Sequence, residues 1–138
     1  MDIDNMTTHI MAMTYAPKVE GIKDGTIKQT IRVVNPNRPF QTHEKVIIHG
    51  WEGKPYRSPW SWRIETVIVE AGEFNAYASG VADVNDNFRF HTWNSPVMDR
   101  IARLDGICPP TGMALKEVLE EFHGKFTDEP IRFQIIRW

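Results

Sequence analysis

The apolar residues of this chain come in short runs, most of them alternating with polar residues at a period of two, which predicts a β-rich domain with a few short helices. His9 to Tyr15 predicts a first strand. Pro17 then opens a helix, Pro17 to Asp24, that stops at Gly25, with proline at the start and glycine at the end as helix geometry favours. Thr26 to Val33 alternates most cleanly: Thr26, Lys28, Thr30 and Arg32 share one face, and Ile27, Gln29 and Ile31 the other. The two isoleucines are expected to face the core. Asn35, Pro36, Asn37 and Pro39 break the pattern, Lys45 to Trp51 resumes it, and Glu52 to Trp62 reads as a loop with Gly53, Pro55 and Pro59.

Arg63 to Val69 and Gly80 to Phe90 are further strand candidates, joined by a turn region around Gly72. Ser95 as N-cap and Pro96 at the first helical position predict a helix ending at Gly106, with Val97, Ile101 and Leu104 on its buried face. Pro109, Pro110 and Gly112 connect it to a second amphipathic helix, with Leu115, Val118, Leu119 and Phe122 inside and Gly124 at its end. Ile131 to Trp138 is the last strand, with Phe133 and Ile135 on one face. This order is not the strand-helix alternation of a doubly wound sheet. It predicts an α+β fold: a mixed sheet curled toward a barrel, a short helix after the first strand, and two helices before the last. Residues 1–8 are expected to be a flexible segment and 9–138 a single domain.

With 138 residues and one cysteine, Cys108, the chain holds one core and no internal disulfide, which suits a reducing compartment, the cytoplasm by default. No run is long and apolar enough to cross a bilayer, and the acidic opening from Met1 to Asn5 differs from a signal peptide, so no membrane partner is expected. The net charge of −2 hides an asymmetry: Lys18 to Arg63 carries nine basic residues against four acidic, Ile64 to Trp138 seven against twelve. A positive first half can gather an anionic ligand.

No glycine-rich phosphate loop of either common type occurs. His9, His43, His49, His91 and His123 are scattered, and Cys108 has no second thiol beside it, so neither a metal site nor a cofactor is expected. The face of Lys28, Thr30 and Arg32 differs in quality. Alternate residues of a strand stand roughly 7 Å apart, so an ammonium, a hydroxyl and a guanidinium line up along one ligand. Arg32 can grip an oxyanion with two nitrogens, and Lys28 can act as a point charge or, if desolvated, as a base. The loop adds Lys54, Tyr56, Arg57, Trp60, Trp62 and Arg63, the mixture of aromatic and cationic side chains that holds single-stranded nucleic acid. Arg137 shares a strand face with Phe133 and Ile135 and either enters the cleft or snorkels at its mouth.

Gly25 to Arg32, GTIKQTIR, resembles the G-x-K-x-x-T-x-R signature of ASCH domains, relatives of the PUA-like barrels. Ala102 to Gly106, the helix Leu115 to Phe122, and the ending Ile136-Arg137-Trp138 resemble the later segments of small ASCH proteins, in the same order. The resemblance implies a PUA-like barrel with a cleft for RNA or a modified nucleoside. One branch of that family resembles acetylcytidine amidohydrolases, with a threonine nucleophile, a lysine base and a carboxylate; another includes ribonucleases. By position, Thr30 matches the threonine, Arg32 the arginine and Asp105 the carboxylate. The signature's lysine position holds Ile27, with Lys28 one residue later, a change of face on a regular strand.

The expectation is therefore an RNA- or nucleic-acid-binding module around this strand, with Lys28, Thr30 and Asp105 as a catalytic set if the site is hydrolytic. A small hydrolase and a protein-interaction module are the alternatives.

Overall fold

The structure, a computed structural model, describes residues 7–138. Most of the expected segment 1–8 lies outside the described residues, and Thr8 already belongs to the first strand. The elements are β1 (Thr8–Ala12), α1 (Ala16–Asp24), β2 (Gln29–Val33), β3 (Lys45–Trp51), β4 (Trp60–Val67), β5 (Glu70–Tyr77), β6 (Gly80–Asp83), β7 (Arg89–Thr92), α2 (Pro96–Leu104), α3 (Gly112–His123) and β8 (Ile131–Arg137). The fold is α+β. The strands form two sheets, β1-β3-β4 and β2-β8-β5-β6-β7, and no ladder joins the two into a closed barrel among the described residues.

Local chemistry accounts for the element ends. Gly25 closes α1 in the left-handed region (φ 85°), its N–H donating to the Ile22 carbonyl. The side chains of Ser95 and Thr111 accept from the backbone N–H groups of Met98 and Ala114 and so cap α2 and α3. A register irregularity at Gly50 and Trp51 bends β3 against β4.

Two apolar clusters hold the layers together. Ile31, Phe74, Met98, Ala102, Leu115 and Phe133 pack the larger sheet against α2 and α3. Met11, Ile22, Val46, Ile48 and Ile136 pack its other face against the smaller sheet and α1. β8 lies between β2 and β5 and is buried on both faces, with Phe133 in one cluster and Ile136 in the other. Trp93 belongs to the first cluster, its indole N–H donating to the Tyr77 carbonyl at 2.8 Å.

Several expectations about elements are corrected. The stretch Gly80 to Phe90 is not one strand but two, β6 and β7, with a 3-10 turn at Val84–Asp86 between them. The region around Gly72 is not a turn but part of the eight-residue β5, paired with β8 and β6; residues such as Glu70, Glu73 and Asn75 hid its alternation. Trp60 and Trp62 belong to β4, together with Arg63 as expected, leaving only 52–59 as loop. α2 buries Met98 and Ala102, one helical turn apart, whereas Val97 and Leu104 are exposed. Phe122 of α3 is likewise exposed. No described helix is long and apolar enough to cross a membrane.

Candidate active site

β2 is an edge strand, paired only with β8, so a group beside its free edge can reach side chains of both faces. Asp105, just after α2, takes that place. Its Oδ1 accepts from Gln29 Nε2 at 3.2 Å and its Oδ2 from Lys18 Nζ at 3.3 Å, although Lys18 and Asp105 are 87 residues apart. Lys18 Nζ also donates to Thr30 Oγ1 at 3.2 Å. Lys18, Thr30, Gln29 and Asp105 are all buried. Arg32, two residues beyond Thr30, sends Nη2 to the Ala12 carbonyl at 2.5 Å and to Met13 Sδ at 3.7 Å, tying β2 to β1 across the gap between the sheets.

Lys18, Thr30, Arg32 and Asp105 border a cavity of about 190 Å³ whose other walls include Tyr15, Leu115, Phe122 and His123. Burial pushes the Lys18 ammonium below its ordinary value, and Arg32 pushes the same way, against the attraction of Asp105. Burial pushes the Asp105 carboxyl up, opposed by Lys18, Gln29 and Arg32. Arg32 itself is destabilised by burial and supported by Asp105. His123, lowered by burial and by Arg32, stands on the same wall as a neutral ring at pH 7.

Of the expected residues, Thr30, Arg32 and Asp105 come together, and Lys28 does not join them. Lys28 is exposed and precedes the first residue of β2. The hydrogen bond from Ile27 N to the Gly21 carbonyl turns this stretch against α1, so alternation from Thr30 does not extend back to position 28. Ile27, at the signature's lysine position, wedges between Gly21 and Gly106: a Cβ on either glycine would meet its side chain at 2.4 Å or less. The ammonium comes from α1 instead. Lys18 stands one helical turn before the buried Ile22, and this i, i+4 spacing was the one sequence signal for an inward lysine. Gln29, hidden by its assignment to the apolar face, was missed for the same reason as Lys18: each touches Asp105 only through the fold.

The aromatic loop divides. Lys54, Tyr56 and Arg57 are exposed on the 52–59 loop, and the Tyr56 phenol is near enough to Arg32 to favour its charged form. Trp62 lies over Gly50, where an added Cβ would come within 2.2 Å of its Nε1, so it packs inward. Trp60 stacks on His49, with centroids 3.8 Å apart, and the exposed Arg63 lies 5.7 Å from the Trp60 ring centre. Arg137 does not enter the cavity. Its Nε donates to Gln29 Oε1 and its Nη1 to Glu70 Oε1, both at 2.9 Å.

No family model matches the chain, and no curated protein or solved structure matches it.

Proposed function

We propose that this protein is a small hydrolase that removes an acyl group from an amide nitrogen of a nucleoside of the acetylcytidine type. The reading carries with it an ASCH-like site on an opened PUA-like frame, with Arg32 bridging the two sheets. The observation that carries it is the buried Lys18 Nζ, 3.2 Å from Thr30 Oγ1 with Asp105 behind it, at the wall of a cavity sized for a small molecule.

Each residue has a role in the reaction. Neutral Lys18 takes the Thr30 hydroxyl proton as Oγ1 attacks the acyl carbonyl carbon. Negative charge moves to the carbonyl oxygen, in a pocket that Arg32 makes positive. The Lys18 ammonium returns the proton to the departing amine nitrogen, the C–N bond breaks, and the acyl group remains as an ester on Thr30. Water then adds to the ester, one of its protons passing through Lys18 to Thr30 Oγ1 as the acid leaves. Asp105 orients Lys18 and balances its charge while it holds the proton. Lowering the lysine's proton affinity by burial brings it toward the range in which a base works near neutrality.

The test is acetate release from acetylcytidine by the wild-type protein and by Thr30→Ala. Turnover by the wild type alone supports the reading; an unchanged substrate after long incubation with folded wild type sinks it.

A second reading, binding of a longer nucleic acid, is favoured by the exposed Lys54, Tyr56 and Arg57 of one loop, of which Tyr56 interacts with Arg32. It predicts RNA affinity that falls with salt and weakens in Lys54→Ala/Arg57→Ala. Equal affinity of that variant and the wild type at low salt speaks against it.

A further inference from the structure

Behind the Asp105–Lys18 contact of the reaction scheme runs a chain of hydrogen bonds that the scheme does not use: Glu70 to Arg137, Arg137 to Gln29 and Gln29 to Asp105. The middle of it has only one consistent orientation. Arg137 Nε carries a hydrogen and can only donate, so the Gln29 atom facing it at 2.9 Å is the oxygen. The Gln29 nitrogen then faces two acceptors, the Ile101 carbonyl at 3.1 Å and Asp105 Oδ1 at 3.2 Å. Reversing the amide would set N–H against N–H at Arg137 and oxygen against oxygen at Asp105. Gln29 is 1% exposed, so bulk solvent does not reach either conflict to relieve it.

We propose that Gln29, locked by Arg137, is the positioning residue that holds Asp105 in place as the anionic partner of Lys18, so that a partly exposed arginine of β8 governs the charge state of the site. The inference rests on the hydrolytic reading for its consequence in turnover, but its structural content is independent of any substrate. Lys18 is faced by Asp105, Thr30 and Arg32, and Arg32 in turn by His123 and Tyr56. None of these contacts the Gln29 oxygen. A change at Arg137 therefore reaches Lys18 through Gln29 and Asp105.

The experiment is a pH titration by NMR of protein carrying isotope-labelled lysine, following the Lys18 Cε resonance, which is assigned by its loss in Lys18→Met. In Arg137→Met the amide is released, Asp105 loses its neutral donor and holds the ammonium less firmly. The Lys18 midpoint is expected to fall by roughly half a pH unit or more, a damped fraction of what one hydrogen bond to a charged group is worth. Gln29→Leu is expected to shift it the same way. Arg137 is partly exposed, so its variant keeps the test open if Gln29→Leu fails to fold. Glu70→Gln leaves the Arg137 bond to Gln29 intact and is expected to leave the midpoint in place. An unmoved midpoint in folded Arg137→Met overturns the proposal, even if the wild type turns over acetylcytidine. A shifted midpoint in a protein that releases no acetate upholds the positioning role and removes the hydrolytic reading.

Discussion

The buried pair of Lys18 and Asp105 predicts stability changes of opposite pH dependence for its two single variants. Both side chains are nearly inaccessible, 7% and 6% exposed, so removing either partner leaves an uncompensated charge in the interior. Such a loss costs about 3–5 kcal/mol. Gln29 and Arg32 remain beside Asp105, which sets Lys18→Met at the lower end, about 3 kcal/mol, or on the order of 10 °C in Tm for a domain of this size. In Lys18→Met the Asp105 pKa is raised above its unfolded value. The folded state then binds more protons than the unfolded state, and stability falls as pH rises from about 4 through the raised value. In Asp105→Asn the Lys18 pKa is lowered below its unfolded value. The unfolded state then binds more protons, and stability rises with pH up to about 10. Urea denaturation of both variants and of the wild type between about pH 5 and pH 9 measures the two slopes. Relative to the wild type, Lys18→Met should lose ground toward alkaline pH and Asp105→Asn toward acid. The Lys18→Met/Asp105→Asn double variant should be less destabilised than the sum of the singles. Parallel slopes, or additive losses, refute an interior ion pair.

Gly106→Ala places a Cβ at φ 76° and 2.3 Å from Ile27 Cδ1, so it should destabilise the protein by about 1–3 kcal/mol, read by thermal denaturation. It should also lower turnover by displacing Lys18, whose Cβ lies 3.2 Å from the same point. Turnover in the wild type should rise with pH along a limb set by a group below the ordinary lysine value, and Lys18→Met should remove that limb and lower kcat by about 10²–10⁴, read in a pH–rate profile. Lys28→Ala should leave stability and turnover within about twofold of the wild type, since Lys28 is exposed; kinetics at saturating substrate check this.

Much of the fold was legible because its signals are local. The caps at Ser95 and Gly25, the alternation through Lys45 to Trp51, and the order of strands and helices all follow from backbone sterics and the period of apolar residues. β5 escaped because its solvent-side residues and small glycine and alanine side chains carry little hydrophobic contrast, although pairing on both sides stabilises it.

Of the site, the sequence determined Thr30 and Arg32 as neighbours on one face of a strand, since two residues of extended chain permit no other arrangement. Asp105 was reached only by resemblance. For the lysine, the i, i+4 spacing of Lys18 and Ile22 marks an inward side chain, and tertiary structure decides what it meets. Ile27 fills the gap that Gly21 and Gly106 leave open, and Lys18 supplies the ammonium because α1 lays its fourth-neighbour face over Thr30. Periodicity records which residues share a face of one element. Which faces of α1, β2 and the end of α2 meet at a single carboxylate is a property of packing, and only the folded chain expresses it.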